Sequence, residues 1–273
     1  AFYCFGCNRG GDIFSFVEGI EGVEFVDALK ILATRAGVEL KHERTEDKSA
    51  RERLKNLMEE VTLLYENHLA KNSAVKEYLT GRGLTEETIK SFRIGYAPNE
   101  WRIAYDHLKS KGFTDAEIDK AGLTKPTEGK SPYDRFRGRV MFPIFDGNGA
   151  VVAFSGRVFG NQKNKDGTDV AKYINSPETE LYDKSSILFG YDRAKKPMRE
   201  QNFCVLVEGQ MDLIMSHQAG TVNTVAVSGT ALTEKHLALL KRHTDNLVFA
   251  FDADDAGLSA TGRAFQIALG LGM

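Results

Sequence analysis

Hydrophobic and polar positions along the chain change their period more than once, and each change marks a different kind of structure. Leu54, Leu57, Met58, Val61, Leu64, Tyr65 and Leu69 recur every three to four residues, which places them on one face of a helix. Ahead of them, "FVDALKILATRAGVEL" reads as a shorter helix ending at Gly37. The stretch "KHERTEDKSARERLK" is dense in both charges and reads as a linker running into the longer helix. Helix–turn units follow, with a break at Gly81 and Gly83 and a capping box at Thr114-Asp115-Ala116-Glu117. From Arg139 the pattern shortens: "RVMFPIFD", a "GNG" turn and "AVVAFSGRV" predict a β-hairpin. "NQKNKDGTD" is a polar loop, and "AKYINSPETELYDKSS" carries no clean period. From Asn202 strands and helices alternate. "FCVLVEG", "TVAVSGTA" and "NLVFAFD" read as strands, and "MDLIMSHQAG", "TEKHLALLKRH" and "DAGLSATGRAFQIAL" as the helices between and after them. Short links between such elements predict right-handed βαβ units and a parallel sheet.

Composition adds bounds. The 273 residues are 42% hydrophobic and 27% charged, ordinary for a soluble globular chain of one to three domains. No stretch is apolar enough to span a bilayer, so no membrane association is expected. Three cysteines argue against a disulfide scaffold and point to a reducing, cytoplasmic setting. The net charge of −2 hides a polarity. Residues 130–200 hold 13 Lys+Arg against 9 Asp+Glu, whereas residues 201–273 hold 4 against 7. A basic middle followed by an acidic module suits a nucleic-acid enzyme with a carboxylate metal site, although solvated charge fluctuates this much in many proteins.

Two constellations carry chemistry. Cys4-Phe5-Gly6-Cys7 has the spacing of half a tetrahedral zinc site, which takes four thiolate or imidazole donors. Cys204 is far downstream, and the six histidines are scattered singly. A zinc knuckle whose other two ligands precede residue 1 fits best; a thioredoxin-like redox pair and two inert thiols are the alternatives. The second constellation is acidic. In a parallel sheet, functional side chains gather at the C-terminal strand ends. Glu208 closes the first strand of the alternating module, Asp252 the third, and Asp254 lies two residues on. Three carboxylates there would repel unless a cation sat between them, and hard oxygen donors at low count suit Mg²⁺. The plainer reading is that Asp252 and Asp254 cap a helix while Glu208 faces solvent.

"VEGQMD", "SGTALT" and "FDADDAG", in that order, resemble the Toprim fold of topoisomerases, small nucleases, recombination mediators and primases. "FYCFGCNRGGDIFSFV" with "FVDALKILATRAGV" resembles the end of the zinc-binding domain of bacterial replicative (DnaG-type) DNA primases. "SFRIGYAPNEW", "YDRFRGRVMFPIFD", "AFSGRVFG" and "KYINSPETELYDKS" resemble successive motifs of that family's RNA-polymerase domain. The resemblance covers essentially the whole chain, read as a fragment truncated at both ends. It implies an α/β fold: a Toprim-type parallel sheet with helices on both faces, preceded by a mixed α+β subdomain and the tail of a zinc ribbon. The expected division is residues 1–40 zinc-binding tail, 41–50 linker, 51–200 N-terminal subdomain of the polymerase core, and 201–273 an incomplete Toprim domain.

The implied activity is synthesis of short RNA primers on single-stranded DNA by metal-dependent nucleotidyl transfer. A phage-type primase–helicase, another Toprim nucleotidyl-transfer or nuclease protein, and an idle single-stranded-DNA-binding scaffold are the alternatives. By resemblance, Glu208, Asp252 and Asp254 hold Mg²⁺ (or Mn²⁺) with Asp212 contributing nearby, and Cys4 and Cys7 bind Zn²⁺. Arg157, Lys172, Tyr173, Asn175 and Lys184 line the nucleotide and template groove, with Arg137 and Arg139 as further contacts. Expected partners are single-stranded DNA, ribonucleoside triphosphates, the replicative helicase and the single-stranded-DNA-binding protein, for a monomer at the replisome in the nucleoid. Three positions depart from the family pattern: Gln210 where Tyr is usual, Ala171 where Pro is usual, and Asp255 where a basic residue is frequent.

Overall fold

A computed structural model describes residues 1–38, 45–127, 129–163, 166–229 and 231–273. At the N-terminus a two-residue ribbon, β1 (Phe2–Tyr3) with β2 (Gly10–Gly11), carries the Cys4–Cys7 turn. Helices α1 (Ile13–Glu21) and α2 (Phe25–Ala36) follow. Asp12 caps α1 by accepting the Ser15 N–H at 2.8 Å, satisfying one of the donors a helix start leaves free. Most of the expected linker, 41–50, is accounted for differently: residues 39–44 lie outside the described set, and 45–50 already belong to the next helix.

That helix, α3 (Thr45–Ala70), buries Leu54, Leu57, Met58, Val61, Tyr65 and Leu69, the face that the periodicity marks. Each buried side chain of this size contributes roughly 1.5–3 kcal/mol. The middle unit continues through α4 (Ser73–Gly81), α5 (Glu86–Ser91), β3 (Gly95–Ala97), α6 (Ile103–Ser110), α7 (Asp115–Lys120), β4 (Thr124–Thr127), β5 (Lys130–Asp134), β6 (Arg139–Phe145), β7 (Val151–Val158) and β8 (Tyr173–Asn175). The capping box at Thr114 and Glu117 is present at the start of α7. Strands β3, β6, β7 and β8 form an antiparallel sheet in that order, with the expected hairpin at its centre. β6 and β7 are buried almost throughout, so they show no in–out alternation in sequence. Pro143 is tolerated inside β6 because β3 pairs only with Arg139 to Met141 and leaves that stretch of the strand edge unpaired. Helix α3 lies so close to β3 that a Cβ on Gly95 would come within 2.5 Å of the Tyr65 Cβ.

The third unit comprises α8 (Tyr191–Gln201), β9 (Cys204–Val207), α9 (Gln210–Gln218), β10 (Thr224–Ala226), α10 (Glu234–Lys241), β11 (Leu247–Phe249) and α11 (Asp255–Gly270). Its three strands are parallel in the order β10-β9-β11. The strand that comes first in sequence is therefore central, and the strand ends at Glu208 and Asp252 become neighbours. Tyr191, Ala194 and Met198 of α8 join Leu206, Val225, Leu237 and Leu240 in one buried cluster. Packing thus draws α8 into the sheet unit, although it lies before the expected boundary at residue 200.

Candidate active site

Parallel pairing of β9 and β11 aligns Leu206 with Phe249, so both chains leave the sheet at the same edge. Glu208 is half-buried there, and its Oε1 accepts the Asp252 N–H at 3.1 Å. Asp252 and Asp254 are exposed. Asp254 also caps α11, accepting the Gly257 N–H at 2.8 Å. Asp212 is exposed in the first turn of α9, and a Cβ on Gly209 would meet its carboxylate at 2.7 Å, so it folds back over the N-terminus of that helix. Asp255 joins Asp254 in the first turn of α11, where the positive end of the helix dipole favours it. Glu208 and the Asp252–Asp254 segment are therefore brought together. Among the described residues, however, no three His, Cys, Asp or Glu side chains converge as a complete ligand set. The donor chemistry still fits Mg²⁺, which takes one or two carboxylates and completes its octahedron with water and substrate phosphate.

The basic side is built on β7 and β8, where Arg157 pairs in register with Tyr173 and Ser155 with Asn175. Arg157 donates to the Tyr173 hydroxyl at 2.8 Å, and its guanidinium lies 5.3 Å from the Tyr173 ring and 5.9 Å from Tyr78. Lys172 is exposed at the head of β8. Asn175 crosses to the acidic unit by donating to the Ser228 carbonyl at 2.8 Å. Lys184 is held from a different direction. Its carbonyl bonds His236 Nε2 at 3.0 Å, and Thr233 donates to the next carbonyl at 2.6 Å, so α10 fixes this turn.

Of the two further expected contacts, one is buried and the other is half-buried. Arg139 is only 4% exposed and donates to the carbonyls of Gly156 and Ala171 at 2.9 and 3.0 Å. The structure thus places it as a clamp between β7 and the chain entering β8, away from any solvated face. Arg137 precedes the strand, stacks 4.3 Å from the Trp101 ring and 4.8 Å from Tyr133, and donates to the Asp134 carbonyl. Sequence reasoning missed Tyr78, Ser155, Ser228 and Gly257 as parts of this site. Ser155, Ser228 and Gly257 carried a local signal, lying in "AFSGRVFG", "SGTALT" and "FDADDAG", whereas Tyr78 lies in none of the quoted motifs.

At the N-terminus Cys4 and Cys7 are exposed, whereas Cys204 is buried, which pushes its thiol pKa well up. Backbone N–H groups of Cys7 and then Gly6 hold the Cys4 thiol below its ordinary pKa. This is the environment of a thiolate knuckle and fits two of four zinc donors. A redox pair would need a helix starting on it, but α1 begins only at Ile13.

Comparison with known proteins agrees along the whole chain. Residues 1–48 match the CHC2 zinc finger, 64–195 the DNA primase catalytic core N-terminal domain, and 205–272 the Toprim-like family. A DNA primase from Deinococcus radiodurans is 41% identical over 266 residues, 95% of this chain and 44% of the relative. The chain thus spans less than half the length of such curated relatives. The Aquifex aeolicus primase structure (zinc binding and RNA polymerase domains) superposes with a TM-score of 0.75 at 35% identity, over 100% of this chain and 65% of that one. The RNA polymerase domain of Mycobacterium tuberculosis primase DnaG, solved with a double-stranded DNA oligomer bearing a 6-nucleotide overhang, gives 0.70 at 36% identity, over 78% and 68%. With zinc finger, catalytic-core and Toprim segments in this order, and with a fold shared with these structures, the chain belongs to the DnaG-type bacterial DNA primase family.

Proposed function

We propose that this chain forms the catalytic part of a DNA-directed RNA polymerase that lays short RNA primers on single-stranded DNA. The observation that carries the reading is the juxtaposition at one sheet edge. Glu208 and the Asp252–Asp254 segment lie at adjacent parallel strand ends, and Asn175, from the strand pair bearing Arg157 and Tyr173, bonds the Ser228 carbonyl, whose own N–H bonds the Glu208 carbonyl. Phosphoryl transfer calls for this pairing of metal-binding carboxylates with cations for phosphate. Glu208, Asp252 and Asp254 would hold Mg²⁺ or Mn²⁺, with Asp212 adding negative potential nearby. A divalent ion held by these carboxylates would supply Lewis-acid chemistry for phosphoryl transfer, activating a hydroxyl nucleophile and stabilising a phosphate leaving group. The chain's own share is positional: Arg157, held by Tyr173, and Lys172 and Lys184 orient triphosphate and template backbone. Cys4 and Cys7 would supply two of the donors for a structural Zn²⁺. The template is single-stranded DNA, and the substrates are ribonucleoside triphosphates. A replicative helicase and a single-stranded-DNA-binding protein are the expected partners of a monomer working in the cytoplasm.

The test is magnesium-dependent incorporation of labelled ribonucleotide by the full-length protein on a single-stranded template. Glu208→Gln and Asp252→Asn should each lower it by at least about a hundredfold, since losing a metal ligand removes several kcal/mol of transition-state stabilisation. Metal-free melting should hold or rise, because like-charge repulsion is relieved. Activity surviving both substitutions would leave a DNA-binding scaffold as the better reading.

A further inference from the structure

Gln210 and Ser155 lie 55 residues apart and belong to different units, yet Gln210 Nε2 donates to Ser155 Oγ at 2.7 Å. Both are buried, at 4% and 0% exposure. An apolar pair of the same volume could fill this space at little cost, so packing alone does not call for the bond. Its location gives it a use. Gln210 opens α9 two residues after Glu208. Ser155 lies two residues before Arg157 on β7 and pairs in register with Asn175 of β8. Asn175 donates to the Ser228 carbonyl at 2.8 Å, and the Ser228 N–H donates to the Glu208 carbonyl at 3.0 Å. Ser228 is itself 6% exposed and holds a left-handed backbone, with φ 56°. The links close on themselves: Glu208, Gln210, Ser155, Asn175, Ser228 and back to Glu208.

We infer that this ring sets the separation between the Glu208 carboxylate and the Arg157–Tyr173 strand pair, with Gln210 as a positioning residue for nucleotidyl transfer. The inference rests on the primer-synthesis reading above. Neither Gln210 nor Ser155 touches substrate; the ring acts by holding two loaded strands at fixed register. Both sides of a phosphoryl transfer must be placed to well under 1 Å, and misplacement of that order costs up to a hundredfold in rate. A hydrogen bond between buried groups resists such drift better than apolar contact, which has no preferred direction.

The experiment uses the full-length protein as wild type, Gln210→Met, Ser155→Ala and the double variant. It reads kcat and nucleotide KM at saturating template, template affinity by fluorescence anisotropy, and Tm. Each single variant should lower kcat ten- to a hundredfold, on the order expected for lost positioning, with KM and template affinity changed by no more than about twofold, as for an interaction felt only in the transition state. Tm should fall in the singles, where one buried polar group loses its partner, and recover in the double. The decisive result is a double variant with restored Tm and a kcat that stays low. A double variant that regains kcat together with Tm would reduce the ring to ordinary packing and overturn the inference, as would wild-type kcat in both singles. A wild type that makes no primer overturns the functional reading itself, whereas an active wild type with unaffected variants overturns the ring alone.

Discussion

Gly257 shows how tightly the acidic edge is assembled. A Cβ at this position would come within 2.1 Å of the Asp252 carbonyl oxygen and 2.9 Å of Glu208 Oε1. The first distance is far inside van der Waals contact and involves backbone, so a side chain here must push the Asp252–Asp254 segment off Glu208. Gly257 also donates its N–H to Asp254, so the same shift loosens the helix cap. Gly257→Ala is therefore expected to reduce primer synthesis by on the order of a hundredfold, and Tm should fall as well, because Gly257 is buried in the first turn of α11. Parallel activity and melting measurements check this, and near-normal activity would mean that the segment relaxes without cost. Arg139 teaches the opposite lesson at the same scale. In sequence it is one more arginine in a basic run, but the fold buries it and spends its donors on main-chain carbonyls.

Between elements, the N-terminal unit is seated on α8 and the turn after α10. Arg199 of α8 donates to the carbonyls of Gly19 and Ile20, Arg242 pairs with Glu24 at 3.5 Å, and Gly22 rests against the His243 ring. His243 shares a 2.8 Å hydrogen bond with the Tyr191 hydroxyl. Burial, reinforced by Arg199, Lys195, Arg242 and Arg9, lowers its pKa to about 4 from an ordinary 6.5. Below pH 6.5 the unfolded chain takes up this proton before the folded one, so stability falls as pH drops from about 6.5 towards 4. A shift of that size is worth on the order of 3 kcal/mol by pH 4. Tm measured across this window should fall more steeply for the wild type than for His243→Gln, which has no proton to gain. Identical slopes would remove His243 from the acid response. None of this was legible in the sequence, because the seat joins residues about 180 positions apart. The strand–helix alternation after Asn202 was legible, since run length and short links are local properties. The carboxylates at the strand ends followed from the parallel-sheet rule once that alternation was read. β3 and β8, three residues each, are too short to show a period, and β1 and β2 shorter still. The Gln210–Ser155 bond depends on how two sheets meet, which no local pattern encodes.

Across the whole molecule, charge is sorted although the total is only −2. The β7–β8 strand pair that carries Arg157, with Lys172 at its head, is joined to the acidic third unit through Asn175 and Ser155, so a polyanion and a divalent cation can be drawn to adjoining surfaces. Lys172 is the exposed cation of this strand pair. Lys172→Ala should weaken binding of single-stranded DNA and lower the slope of log affinity against log salt by about one, as for the loss of a single phosphate contact. Titrations at several salt concentrations check it, and an unchanged slope would mark Lys172 as a solvated surface charge.

The grip of Arg199 on Gly19 and Ile20 also bears on how freely the protein can change. Carbonyl oxygens are present whatever side chain a residue carries, so this part of the seat makes no demand on the identity of either position. A Cβ at Gly19 would meet nothing within 4 Å. At Gly22 it would press on the His243 ring at 3.2 Å, from a backbone with φ 66° that already disfavours a side chain. Gly22 is thus the point where variation is barred. Ile13 and Ile20, both exposed on α1, can drift or be redesigned while the unit keeps its place, so the face it offers to other molecules is free to evolve separately from the contact that anchors it.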